Sequence, residues 1–150
     1  WLALGSLFSS RERVTAVDTF KGSPEHQPGA EFSCETLVNE GTTYRVFQTN
    51  LRRIGVHDHV DPLIAESHVA AASWEKPIRV LFIDGDHSYE ASKLDFESWS
   101  PFVAPRGYVA FHDIDAGPGV TQLYNEVIQS NSLFKEVAAV NSLRVLQKVP

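Results

Sequence analysis

Apolar residues recur along the chain with two different periods. Short runs rich in β-branched and aromatic residues occupy 13–17, 59–65, 78–83, 108–111, 134–140 and 143–149. Runs of that length bounded by Gly, Pro, Asp or Ser predict strands. Between them, apolar positions return every three or four residues. Tyr44, Phe47, Leu51 and Ile54 make one such face, and Gly55 ends it. Val120, Leu123, Tyr124, Val127 and Ile128 make another, with Pro118 near its start. Further helices are predicted at 67–74, capped by Ser67, and from Ser88 to about Phe102, with Ala91, Leu94, Trp99 and Phe102 facing inward. Residues 1–9 read as the end of a helix, and a short helix is expected over 31–39 inside the polar segment 21–41. Asn141-Ser142 predicts a hairpin turn between the last two strands.

Strands alternating with helices predict an α/β fold. The expected architecture is a Rossmann-like open, mostly parallel sheet with helices on both faces and a C-terminal antiparallel hairpin. The whole chain, 1–150, is read as one domain, which is ample length for a core. A strand–helix–strand crossover makes its two strands parallel, so their carboxyl ends share one edge. That edge is where open α/β sheets bind ligands.

The polar residues at that edge carry the candidate chemistry. Strand 78–83 stops at Asp84-Gly85-Asp86-His87, and strand 108–111 stops at His112-Asp113. Asp84 and Asp113 hold equivalent positions on neighbouring strands. Two converging carboxylates repel unless a cation joins them or one takes a proton. Mg²⁺, which takes oxygen ligands and keeps several waters, suits Asp84 and Asp113. His87 begins a helix beside the same cleft, and an imidazole suits a general base for a hydroxyl. Asp86 and Ser88 serve equally well as helix caps. Asp18 ends strand 13–17, where a carboxylate either grips a ribose diol or closes a turn. His26 and Cys34 have no metal-ligand spacing around them.

Charge and composition narrow the classes. A net charge of −6 argues against nucleic-acid and anionic-membrane partners, which require a basic face. No apolar stretch approaches the ~20 residues needed to span a bilayer. One cysteine, Cys34, excludes an internal disulfide framework and fits a reducing, cytoplasmic setting.

The run Phe82-Ile83-Asp84-Gly85-Asp86-His87-Ser88-Tyr89-Glu90, with Asp95, Trp99, Pro105-Arg106-Gly107 and His112-Asp113, resembles the class I S-adenosylmethionine-dependent methyltransferases. The similar subgroup comprises small-molecule and sugar O-methyltransferases of the macrocin O-methyltransferase and cephalosporin-hydroxylase-like type. Ala16 to Gly22 matches that family's second strand, Ala65-Glu66-Ser67 the end of its third, and Gly117 to Val120 the helix after its fifth. The resemblance spans residue 14 to about 148. It implies a seven-stranded sheet, S-adenosylmethionine as cofactor and a hydroxylated small-molecule acceptor. By analogy Asp18 holds the cofactor ribose, Glu66 and Ser67 lie by the adenine, Asp84 also borders the cofactor, Asp84 and Asp113 ligate a metal, and His87 is the base. In several metal-dependent relatives an acidic residue stands where this chain has His112.

The family's first strand and glycine-rich loop would precede Trp1, and the chain contains no methionine. The expectation is a natural start further upstream, with poor cofactor binding by residues 1–150 alone and open edges that favour a homo-oligomer. Two other functions fit the same residues: a metal-dependent hydrolase using the Asp/His cluster, and a non-catalytic binding module on a methyltransferase fold.

Overall fold

The structure is a computed structural model that describes residues 12–115, 117–130 and 132–150. The helix end expected at 1–9 lies outside the described residues. The chain forms two compact units, residues 1–70 and 71–150.

The first unit holds a parallel pair of strands. Strand β1 is Val14–Asp18, α1 is Glu35–Glu40, α2 is Tyr44–Arg53 and β2 is Val60–Ile64. Helix α3, Ser67–Ala71, begins at the unit's end. Val14 aligns with Val60 and Asp18 with Ile64, so the carboxyl ends of β1 and β2 coincide. Arg13 clamps the opposite end, with Nε and Nη2 donating to the two carboxylate oxygens of Asp61 at 2.6 and 2.7 Å. Phe20 is buried, and its ring lies 4.9 Å from Tyr44 and 5.0 Å from Phe47. Those aromatic contacts are the periodic face of α2, as its spacing predicts. Ile54 lies beyond that face and is exposed, because Gly55 at φ 73° turns the chain there. The short helix of the polar segment runs over Glu35–Glu40 rather than 31–39, and residues 24–26 form a single 3₁₀ turn.

The second unit contains β3 (Ile78–Ile83), α4 (Tyr89–Trp99), β4 (Val103–Phe111), α5 (Pro118–Ser130), β5 (Phe134–Val140) and β6 (Leu143–Lys148). The sheet order is β3-β4-β6-β5. β3 and β4 run parallel, while β6 is antiparallel to both β4 and β5. Among the described residues six strands thus form a two-stranded and a four-stranded sheet. This is the Rossmann-like α/β arrangement with its terminal hairpin. Asn141 turns that hairpin at φ 50°.

Two local expectations change. Pro105-Arg106-Gly107 reads as a turn, yet β4 runs through it as a bulge. The register jumps from Ile78 opposite Val103 to Val80 opposite Tyr108, and Arg106 takes φ 64°. A bulge accommodates extra residues in one strand without ending it. Helix α4 stops at Trp99 and a 3₁₀ turn covers 100–102. Its buried residues are Ser92, Phe96 and Trp99, whereas Leu94 is exposed.

The core of this unit joins the sheet to α4 and α5. Phe111, Val109 and Leu146 are fully buried and meet Phe96, Leu123, Tyr124, Val127 and Phe134. Burial of apolar surface of this kind contributes about 25 cal/mol per Å². Phe96 stands 5.7 Å from Phe111 and 5.6 Å from Phe134, which ties α4 to the inner strand β4 and the edge strand β5.

Candidate functional site

Backbone pairing carries β3 and β4 to a common end. The amide of His112 donates to Ile83 O at 3.1 Å, one step beyond the last ladder pair. That bond sets Asp84 and His112 side by side. Successive side chains of a strand point to opposite faces. Asp113 breaks the alternation with a left-handed backbone, φ 55°, so His112 and Asp113 turn towards the same place. Aspartate tolerates this region better than most residues, and such conformations cluster at functional sites.

Four side chains meet there. His112 Nδ1 lies 3.0 Å from Asp84 Oδ1 and 3.1 Å from Asp113 Oδ2. His87 Nε2 lies 3.1 Å from the same Asp113 oxygen. Asp84, His87 and Asp113 offer ligand atoms that all fall within 4.8 Å of one another. His112 Nδ1 is closer still to both carboxylates, yet it is buried and makes no hydrogen bond. The four side chains remain between 28 and 46% exposed, so a small ligand can reach them.

Helix packing holds His87 in this position. Ser88 caps α4, accepting from Ala91 N at 3.3 Å, and Asp86 Oδ1 accepts from Ser88 N at 2.7 Å. Asp86 is therefore a turn residue rather than a member of the cluster. The start of α5 presses on this segment. A Cβ on Gly119 would stand 2.3 Å from Tyr89 N and 2.4 Å from His87 O. One on Gly117 would stand 2.9 Å from His87 Cβ. Glycine at both positions lets α5 close against the His87 backbone and ring. Pattern reading missed these two, since it treats Gly-Pro-Gly as a helix start. An open groove of about 580 Å³ follows α5, lined by Asp115, Thr121, Gln122, Asn125 and Glu126 among others.

In the first unit, Asp18, Glu66 and Ser67 gather at the carboxyl ends of β1 and β2. Ala65 N donates to Asp18 O at 3.3 Å, which places the two strand ends together. Asp18 Oδ1 accepts from Phe20 N at 2.7 Å and closes a turn. Asp18 and Glu66 are exposed, and Ser67 is half-buried as the first residue of α3.

Comparison with known proteins bears on this arrangement. A protein family described as "Methyltransferase domain" matches residues 1–114, crossing both units. The chain belongs to this methyltransferase family. Among solved structures, the methyltransferase chain is similar to the O-methyltransferase NovP, with TM-score 0.72 and 18% identity over 98% of this chain and 64% of NovP. It is also similar to cofactor-bound Rv0187 from MTB, with TM-score 0.70 and 15% identity over 99% of this chain and 66% of that one. At these identities the likeness is one of fold. A curated relative, the uncharacterized protein y4gI of Sinorhizobium fredii, is 39% identical over 56 residues, which are 35% of this chain and 6% of that protein. This chain thus spans less than two thirds of these relatives. No described helix is long and apolar enough to cross a membrane.

The donor chemistry fits a divalent cation. Two carboxylates within reach of each other are relieved by a positive partner or a shared proton, and the buried His112 Nδ1 adds a nitrogen donor between them.

Proposed function

We propose that the protein is an S-adenosylmethionine-dependent O-methyltransferase acting on a hydroxyl of a small molecule. The observation that carries this reading is the His87–Asp113–His112–Asp84 cluster at adjacent strand ends in a chain of a methyltransferase family. The family match runs across the boundary between the two units, which supports treating 1–150 as one methyltransferase-like domain. Asp18, Glu66 and Ser67 are assigned to the cofactor's ribose and adenine. Likeness in fold to the O-methyltransferase NovP supports a hydroxylated acceptor. The single cysteine supports a cytoplasmic, reducing setting.

S-adenosylmethionine supplies an electrophilic methyl group, whose bond to sulfur breaks as the acceptor oxygen bonds to it. The protein's own part is alignment and proton removal. His87 takes the hydroxyl proton. Asp113 Oδ2, 3.1 Å from His87 Nε2, steadies the imidazolium that forms. Asp84 and Asp113 would hold a divalent cation, which lowers the acceptor hydroxyl's pKa.

The test is calorimetric titration of S-adenosylmethionine into the full-length protein, followed by a screen of hydroxylated acceptors with methyl-labelled cofactor. Micromolar binding that Asp18→Ala abolishes is the expected result. Methyl transfer should fall about 10²–10⁴-fold in His87→Gln, the range for a lost general base. No cofactor binding would overturn the reading.

A further inference from the structure

We infer that His112 Nδ1 is a metal ligand, and that the cluster selects a borderline transition ion such as Mn²⁺, Fe²⁺, Co²⁺ or Zn²⁺ over Mg²⁺. The inference deepens the proposed function and rests on it for the ion's purpose, but binding alone tests it.

Ligands bonded to one octahedral ion at about 2.1 Å stand roughly 3.0 Å apart when adjacent. The pairs His112 Nδ1–Asp84 Oδ1 and His112 Nδ1–Asp113 Oδ2 measure 3.0 and 3.1 Å. Direction gives the second step. A nitrogen that hydrogen-bonds to a carboxylate points its N–H at the oxygen. A nitrogen that shares an ion with that oxygen points its lone pair at the ion, about 45° away from its neighbour in an octahedron. His112 Nδ1 departs from the first pattern: it lies at hydrogen-bond distance from two carboxylates and makes a hydrogen bond to neither. The atom is buried although its side chain is 39% exposed, so the ring turns this nitrogen inward.

The third step is donor type. Mg²⁺ demands oxygen ligands and near-ideal geometry. Imidazole suits Zn²⁺ and Fe²⁺ far better than Mg²⁺, Co²⁺ and Mn²⁺ accept it in mixed shells, and a mixed set of carboxylates with imidazole is a transition-metal set. Asp84 and Asp113 supply oxygen, His112 supplies nitrogen, and water or an acceptor hydroxyl completes the shell. His87 Nε2 stands 3.1 Å from Asp113 Oδ2 and within 4.8 Å of an Asp84 oxygen, so it borders the same site, where the proposed function uses it as the base.

The experiment uses full-length protein stripped with chelator. Mn²⁺, Co²⁺ and Mg²⁺ are titrated separately, with binding followed by calorimetry and by the Co²⁺ visible spectrum. One equivalent of Mn²⁺ or Co²⁺ should bind at least about 100-fold more tightly than Mg²⁺. Pulsed EPR of the Mn²⁺ form should show coupling to a ligand ¹⁴N that persists in His87→Gln and disappears in His112→Asp. His112→Asp should shrink the Mn²⁺/Mg²⁺ affinity ratio about tenfold or more, as a ligand change does. Circular dichroism of His112→Asp confirms that it folds. Equal affinity for Mg²⁺, nitrogen coupling retained in His112→Asp, or no stoichiometric ion would each overturn the inference. Cofactor titration in the same samples separates that failure from failure of the methyltransferase reading. A protein that binds S-adenosylmethionine but no ion loses only the metal site.

Discussion

Single residues around the cluster are set by contact rather than by charge. Gly119 has no room for a methyl group, because its neighbours are the backbone atoms of His87, Ser88 and Tyr89, which cannot swing aside. Gly119→Ala is expected to lose about 1–3 kcal/mol by overpacking, read as a lower urea midpoint. It should also lower methyl transfer, since the segment that must yield carries His87. Tyr124 gives a pH prediction. Burial pushes its phenol up to about 12, and a hydrogen bond to Glu136 adds to the shift. The folded state therefore keeps a proton that the unfolded chain releases near pH 10. Stability is fully present below pH 10 and falls as pH rises from about 10 towards 12. Thermal melts across that window should show the fall, and Tyr124→Phe should flatten it.

At the level of elements, termini and bulges aim the chemistry. Ser88 is the cap of α4, directly follows the cluster's His87 and donates its amide to Asp86 Oδ1. Ser88→Ala should cost about 0.5–2 kcal/mol in denaturant unfolding, the usual range for a lost cap. Arg106 sits in the β4 bulge at φ 64°, a region that disfavours side chains. Arg106→Gly should be neutral or stabilising in the same assay, because relief of roughly 1–2 kcal/mol of backbone strain offsets the added entropy of the unfolded chain. The bulge was not legible in advance. Pro-Arg-Gly is turn chemistry in isolation, and only pairing with β3 on one side and β6 on the other keeps the strand intact. Strand existence was legible throughout the described residues, because the period-two and continuous apolar runs are short and sharply bounded. The face of α4 was misjudged at Leu94 for a related reason. Residues on a short helix near a bundle edge can satisfy an apolar spacing without a partner to bury them, and here the neighbours select Ser92, Phe96 and Trp99.

For the molecule as a whole, the second unit's stability rests on a core that the four-stranded sheet shares with α4 and α5. Leu146 on β6 is fully buried between β4 and the helices. Leu146→Ala should cost about 2–5 kcal/mol and lower the urea midpoint well beyond any surface change. The membership of the chain in a methyltransferase family agrees with the resemblance carried by Phe82 to Glu90 and His112-Asp113. That stretch was informative because parallel crossovers oblige both strand ends to share an edge. Sequence by itself therefore determined the α/β class and the strand ends that bear Asp84, His87 and Asp113. It named His112 without a role. Tertiary structure fixed its position between Asp84 and Asp113. The left-handed turn at Asp113 and the His112–Ile83 backbone bond bring side chains from two strand ends to 3.0–3.1 Å. It also decided that Asp86 and one oxygen of Asp18 serve turns, and that Gly117 and Gly119 seat α5 on His87. The physical reason is that periodicity records which face of an element is buried, while a site depends on dihedrals and contacts between residues distant in the chain.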